Sequence, residues 1–177
     1  MRLEPATSLL AVIDVQERLL AAIPDAGRVV ARCQRLAEAA TLLGVRAVLT
    51  EQYPQGLGHT PADLAATLPP AASKMAFSCS GCQSFDSAVT AGTTAVVLAG
   101  LETHVCVMQT ALDLLAAGMS VHVAVDAVAS RHAIDHEIAL RRLEAAGAIL
   151  TTSEAVLFEW CRTAEHRQFQ AIRRLVR

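Results

Sequence analysis

The chain has 177 residues, 53% of them hydrophobic and 3% aromatic, with a formal net charge of −2 at pH 7. That length suits a single domain over residues 1–177, with a core large enough to fold without staples. The near-neutral charge and scarce aromatics argue against a nucleic-acid partner, and no apolar run approaches the roughly 20 residues that span a bilayer.

In chain order, Met1-Arg2-Leu3-Glu4-Pro5 lacks the layout of a signal peptide, which predicts a cytoplasmic protein. Ser8–Val15 reads as a buried strand. Pro24–Leu43 carries apolar residues at helical spacing and is stopped by Gly44. Val45–Thr50 is a second strand. Thr60-Pro61-Ala62-Asp63 has the order of an N-cap, a proline at the first helical position and an acid in the first turn. Ala71–Phe77 reads as a third, short strand and Gln83–Ala91 as a short helix closed by Gly92. Thr94–Ala99 is a strongly apolar fourth strand, and His104–Ala117 is a helix closed by Gly118. Ser120–Val125 is the fifth strand, His132–Ala146 the next helix and Ala148–Thr151 the sixth strand. Ser153 caps a helix through Trp160, and a last helix runs over Glu165–Val176.

Strands that are apolar throughout and alternate with helices predict an α/β fold: a parallel sheet covered on both faces. Such sheets hold ligands at the carboxyl ends of their strands. Asp14 falls at the end of the first strand, and Glu51 and Gln52 follow the second. Lys74 falls near the third, Gly100–Cys106 follow the fourth, and Asp126 follows the fifth.

Lys74 is the only lysine; every other basic residue is arginine except the histidines. Lysine is a point charge whose pKa moves readily on burial, which arginine's does not. Cys106 lies where a buried strand meets a helix. A thiol in a first helical turn feels the positive end of the helix dipole and gives up its proton more easily. Free N–H groups there can hold an oxyanion. A nearby ammonium would acidify the thiol further, and a nearby carboxylate could accept its proton. Lys74 and Asp14 supply those groups if the strand ends converge. Each residue also has a plain structural reading. Cys106 fits an ordinary buried cysteine, Asp14-Val15-Gln16-Glu17 fits a capping box, and a lone lysine fits an exposed surface position. The five cysteines, Cys33, Cys79, Cys82, Cys106 and Cys161, are an odd number and read as free thiols. Cys79-Ser80-Gly81-Cys82 is a lone CxxC, short of a structural zinc site.

Three separated strings carry a resemblance. Val12-Ile13-Asp14-Val15-Gln16, Ser73-Lys74-Met75-Ala76-Phe77-Ser78 and Gly100-Leu101-Glu102-Thr103-His104-Val105-Cys106-Val107 resemble the isochorismatase-like cysteine hydrolases, over about residues 8 to 155. Thr50-Glu51-Gln52-Tyr53-Pro54 and Ala124-Val125-Asp126-Ala127-Val128-Ala129-Ser130-Arg131 are similar to the branch that holds the vertebrate isochorismatase-domain proteins and the YcaC-like hydrolases. The resemblance implies a three-layer α/β/α sandwich with a six-stranded parallel sheet in the order 3-2-1-4-5-6. It implies an Asp–Lys–Cys triad at Asp14, Lys74 and Cys106, which opens a small amide or related acyl compound through a thioester. It implies an oxyanion hole from the backbone N–H groups of Glu102 and Cys106, and a cis peptide between Leu101 and Glu102.

The string Glu51-Gln52-Tyr53-Pro54-Gln55-Gly56-Leu57-Gly58-His59 departs from the nicotinamidases, which carry an aspartate and two or more histidines there to bind a metal. No metal and no cofactor are expected. True isochorismatases lack the nucleophilic cysteine, so a C–N bond is the expected target and not a vinyl ether. Gln16, Tyr53, Phe77, Leu101, Thr103 and His104 are candidate pocket residues. For Phe77 core packing is the stronger expectation, and for Glu102 the backbone matters more than the carboxylate. Asp126 reads as a cap. The rival readings are a binding or scaffold protein of the same fold with little catalysis, and a redox-reactive thiol. The expected partners are a small-molecule substrate and further copies of the chain. Self-association is expected from the exposed-looking Leu157, Phe158, Trp160, Phe169, Ile172, Leu175 and Val176.

Overall fold

A computed structural model describes residues 2–90 and 92–177. Six strands form one parallel sheet: β1 (Ser8–Ile13), β2 (Arg46–Gln52), β3 (Ala72–Lys74), β4 (Ala95–Leu101), β5 (Ser120–Ala129) and β6 (Ile149–Thr151). Their order is β3-β2-β1-β4-β5-β6, the order the resemblance implied. β1 and β4 are buried along their whole length, and their alternate residues serve two cores. Leu10 and Val12 face one core and Leu9, Ala11 and Ile13 the other. Two-sided burial is what makes these strands read as unbroken apolar runs.

The first core is covered by α2 (Ala26–Leu43), α8 (Ser153–Cys161) and α9 (Phe169–Leu175). The second is covered by α5 (Gln83–Ala88), α6 (Met108–Ala116) and α7 (Ala133–Ala145). Three single turns, α1 (Glu17–Leu20), α3 (Pro54–Leu57) and α4 (Ala62–Ala65), lie after β1 and β2. Leu157, Trp160 and Ile172 are fully buried in the first core, so these apolar residues of the last helices pack on their own chain. Phe158 remains exposed.

Element ends depart from expectation where tertiary contacts outvote local pattern. The last helix begins at Phe169 and not Glu165. The helix expected over Gln83–Ala91 ends at Ala88, and Ala91 itself lies outside the described residues. β3 is only three residues long, because Lys74 Nζ turns back onto the carbonyls of Ala76 and Phe77 and folds the chain away from the sheet. β5 continues to Ala129 and not Val125. Between Leu98 and Gly100 on β4 the ladder advances two residues, while its partner advances five, from Val123 to Val128. The bulge throws Asp126 out of line. Its Oδ1 accepts from Ser153 N–H at 2.7 Å and its Oδ2 from the Ser153 hydroxyl at 2.6 Å, so it caps α8, 27 residues away, and not its own following segment.

Gly100 has φ +117, and a Cβ there would fall 2.0 Å from the Ile13 carbonyl oxygen. Only glycine lets β4 approach β1 so closely at its end, and the site begins with the next residues.

Candidate active site

The Leu101–Glu102 peptide is cis, as the resemblance implied. The chain then enters a π-helical turn, Thr103–Val107, in which Val107 N–H reaches back to the Glu102 carbonyl at 3.3 Å. α6 continues directly from this turn, where a plain α-helix was expected from His104. The wider turn carries Cys106, and the Thr110 hydroxyl donates to the Cys106 carbonyl at 2.7 Å.

Asp14 follows β1 in a left-handed conformation, φ 50, which aspartate tolerates better than most residues. Its backbone N–H bonds the Thr50 carbonyl at 3.1 Å. Its side chain is fully buried and caps no helix. One carboxylate oxygen, Oδ1, accepts from the Thr50 hydroxyl at 2.8 Å; the other, Oδ2, accepts from Lys74 Nζ at 2.6 Å. Asp14 and Lys74 belong to strands separated by β2, a gap of about 10 Å that lysine's long stem can cross. The Lys74 side chain is 3% exposed. Its three protons meet three acceptors: Asp14 Oδ2, the Ala76 carbonyl at 3.1 Å and the Phe77 carbonyl at 2.9 Å. An arginine's flat fork could not satisfy that arrangement. With its donors spent, Lys74 acts on Cys106 through charge alone.

Cys106 is 5% exposed. Burial raises its pKa most, the Asp14 carboxylate raises it further by charge and as a hydrogen-bond acceptor, and Lys74 opposes them. The acidified thiol expected from the helix end is therefore corrected. The sulfur of Cys106 is buried and lies against an anion, so the resting sulfur is a neutral thiol beside a carboxylate. A second buried thiol, Cys79, stands 3.7 Å from the Thr50 hydroxyl, and burial pushes it up to about 11.

The cavity over Cys106 holds about 320 Å³. Leu19, Leu57, Phe77 and Val105 form an apolar wall, with Gln52, Glu102 and Arg131 completing the lining. Phe77 is 51% exposed, so it belongs to this wall and not to the core. The Glu102 carboxylate is bound by Arg131 three times: by the backbone N–H at 3.0 Å, Nε at 3.0 Å and Nη2 at 2.8 Å. Burial works against the Glu102 charge, but these bonds outweigh it and hold its pKa below the usual range.

The other pocket candidates lie elsewhere. Gln16 is buried as a clamp: its amide donates to the Gln52 and Gly58 carbonyls at 3.1 and 2.7 Å, and its oxygen accepts from Gln52 N–H at 2.8 Å. Tyr53 is exposed and folds over Gly56. Leu101 is buried in the first core. The Thr103 hydroxyl is bonded to His136 Nδ1 at 2.9 Å. His104 bonds Ser130 at 2.9 Å and lines a separate surface hollow with Asp135 and Met108. None of the five is among the residues that line the cavity over Cys106: Gln16, Leu101, Thr103 and His104 are engaged by neighbouring elements, and Tyr53 is turned to solvent. Among the described residues no three His, Cys, Asp or Glu side chains are grouped to hold a metal ion. Glu51 is bonded to His59 Nδ1 at 3.0 Å and to Thr60 N–H at 2.7 Å.

Sequence reasoning missed the side chains of Thr50 and Arg131. A hydroxyl at the end of a buried strand was the available signal for Thr50. Nothing local announced that Arg131 would reach back to Glu102.

The family model described as the isochorismatase domain matches residues 8–155. A zebrafish (Danio rerio) protein, isochorismatase domain-containing protein 1, is 39% identical over 99% of this chain, which spans 62% of that protein's length. Among solved structures, MAR1 ribonuclease from Caenorhabditis elegans superposes with a TM-score of 0.94 at 39% identity, covering 99% of this chain and 92% of that one. YcaC from Pseudomonas aeruginosa, described with hexane-2,5-diol and covalent acrylamide, superposes with a TM-score of 0.88 at 26% identity, covering 97% and 89%. With the sheet order, the matched span and these likenesses together, the chain belongs to the isochorismatase domain family of hydrolase-fold proteins.

Proposed function

We propose that this chain is a cysteine hydrolase that cleaves the C–N bond of a small, non-peptide amide or related acyl compound. The observation that carries this reading is the buried Lys74–Asp14 pair, 2.6 Å apart, beside a neutral thiol in a substrate-sized cavity. A buried acid held by a fixed cation is a costly arrangement that a fold gains little stability from, and it sits where parallel sheets hold ligands.

In this mechanism Asp14 takes the Cys106 proton as sulfur attacks the carbonyl carbon. The new C–S bond forms while the carbonyl oxygen gathers charge against the backbone N–H groups of Glu102 and Cys106. Asp14 returns the proton to the departing nitrogen, the C–N bond breaks, and ammonia or an amine leaves an acyl thioester. Water then attacks the thioester, Asp14 accepting a proton from it and giving one back to sulfur. Lys74 keeps Asp14 aimed at the sulfur, and Thr50 fixes its other oxygen. A neutral resting thiol suits proton transfer at the moment of attack. It does not suit a redox sensor, whose reactivity needs a standing thiolate.

The likeness to YcaC with covalent acrylamide supports a nucleophile in this fold. The likeness to MAR1 ribonuclease points another way, but an apolar cavity of about 320 Å³ and a net charge of −2 favour a small molecule over RNA. Self-association belongs to this proposal too, with Ile134, Ile138 and Phe158 as exposed apolar candidates for a contact between copies.

The test is ammonia release from a panel of small amides, with mass spectrometry of the protein during turnover. The expected result is release by the wild-type chain and an acyl adduct on the peptide that contains Cys106. Turnover by Cys106→Ala at the wild-type rate would sink the mechanism.

A further inference from the structure

Every charge at this site is answered by another. Lys74 is paired with Asp14, Arg131 is paired with Glu102, and the remaining wall is apolar apart from the uncharged Gln52 and Cys106 itself. The two pairs are built differently. Lys74 and Asp14 are both sealed from solvent, whereas the Arg131 side chain is 50% exposed over a Glu102 side chain that is 4% exposed. Arg131 therefore stands at the mouth of the cavity, and Glu102 lies beneath it on the residue that follows the cis peptide. A charged substrate group entering such a space would lose water and find no uncompensated partner, which is costly. An uncharged amide would lose little and gain apolar contact with Leu19, Leu57, Phe77 and Val105.

We propose that the Arg131–Glu102 pair is the charge filter of this cavity, and that the substrate class is an uncharged carboxamide with a short apolar acyl group. The inference rests on the reading of Cys106 as the nucleophile facing this cavity and adds which molecules reach it. The filter is adjustable from either side. Arg131→Gln leaves the buried Glu102 carboxylate unanswered, so the mouth becomes anionic. Glu102→Gln frees the guanidinium, so the mouth becomes cationic.

Two alkylating reagents read the filter without requiring hydrolysis. Iodoacetamide is neutral and iodoacetate is its anion-bearing counterpart; with either, an S–C bond forms at Cys106, iodide leaves, and the thiol proton passes to Asp14 and then to solvent. Labelling of the Cys106 peptide is followed by mass spectrometry, with the rate ratio normalised to glutathione and the partly exposed Cys82 as an internal reference. In the wild-type chain iodoacetamide should be favoured about tenfold or more beyond the glutathione ratio, since the carboxylate must be desolvated without a partner. Arg131→Gln should widen that preference, and Glu102→Gln should narrow or reverse it. Glu102→Gln leaves only the half-exposed guanidinium without its partner, so if Arg131→Gln, which strands a buried carboxylate, fails to fold, the narrowing in Glu102→Gln decides the matter alone.

The filter is overturned by equal labelling with both reagents, by no labelling of Cys106 by iodoacetamide, or by a ratio that fails to widen in Arg131→Gln. The outcome is separate from that of the hydrolase reading. A chain that releases ammonia from no amide but keeps this charge order fails as a hydrolase and retains the filter. A chain that hydrolyses anionic and neutral amides alike, and labels alike, retains the hydrolase and loses the filter.

Discussion

Cys33 and Cys106 lie in the two cores on opposite faces of the sheet, and they resemble each other more than their fates suggest. Both are buried, and burial followed by a nearby aspartate raises both thiols, Cys33 to about 12 through Asp126. Cys33 sits in the middle of α2, wholly buried, with its thiol 3.5 Å from the Ala127 carbonyl. Cys106, by contrast, lines an open cavity, stands beside an aspartate held by a buried lysine, and lies in a strand-to-helix turn at a sheet end. The cation paired with Asp126 near Cys33 is Arg32, 3.5 Å away and only partly buried. A buried thiol beside an acid is thus ordinary; the sealed lysine and the access for a ligand are what single out one of the two.

Four measurements can break or sharpen that contrast. The largest effect is expected from the nucleophile itself. Cys106→Ala should reduce amide turnover about 1,000-fold or more, the usual result of deleting a covalent catalyst, whereas Cys33→Ala should change kcat less than about threefold. A comparable loss in both variants would erase the distinction.

Next is the cation. Lys74→Met leaves Asp14 charged and sealed, so it should cost about 3–5 kcal/mol in urea unfolding as well as activity. Lys74→Arg should also lose turnover about 100-fold or more, since its fork cannot meet three acceptors at one point. Arg32→Ala, which removes the partly exposed, solvent-screened pair near Cys33, should cost about 0–1 kcal/mol. If the two cations proved equally dispensable, the Lys74–Asp14 pair would lose its claim to function.

A smaller effect should follow from Thr50→Val, which keeps shape but removes the hydroxyl on Asp14 Oδ1. Turnover should fall about tenfold while the unfolding midpoint moves little, because Asp14 retains Lys74 but loses its aim. A large loss of stability with normal kcat in the surviving protein would make Thr50 structural only.

The smallest effect is alkaline and comes from the buried thiols other than Cys106. Cys33 is raised from its ordinary 9.0 to about 12 and Cys79 to about 11. A thiol whose folded pKa is raised binds its proton more tightly when folded. The stability it contributes is complete below about pH 9 and is lost as pH rises toward those folded values. Each group can steepen the decline by at most about 1.4 kcal/mol per pH unit. Cys33→Ala should therefore flatten the urea midpoint between pH 9 and 11 relative to the wild-type chain. An unchanged slope would place Cys33 closer to solvent than its full burial implies.

How much of this was legible varies with the range of the interaction. The strands β1 and β4 were plain because burial on both faces leaves a local apolar signature. Asp14, Lys74 and Cys106 could be picked out because parallel sheets bring their strand ends together, and the resemblance bound the three into one scheme. The pocket was read less well. Gln16, Leu101, Thr103 and His104 are neighbours of site residues in sequence, yet each spends its side chain on a different element. Leu19 and Leu57 were missed because they come from single turns after β1 and β2, which have no pattern of their own.

By itself, the sequence determined the layered α/β architecture and the strands' apolar character, since periodicity and strand–helix alternation are local properties; it also put Asp14, Lys74 and Cys106 near strand ends, and the resemblance joined them as candidates. Only the tertiary structure decided that Lys74 would spend all three of its protons on fixed acceptors and that the Cys106 thiol would be raised and not lowered. Only it paired Glu102 with an arginine 29 residues away. Those outcomes depend on burial, charge distance and side-chain direction across elements. None of these quantities exists until the strands are side by side.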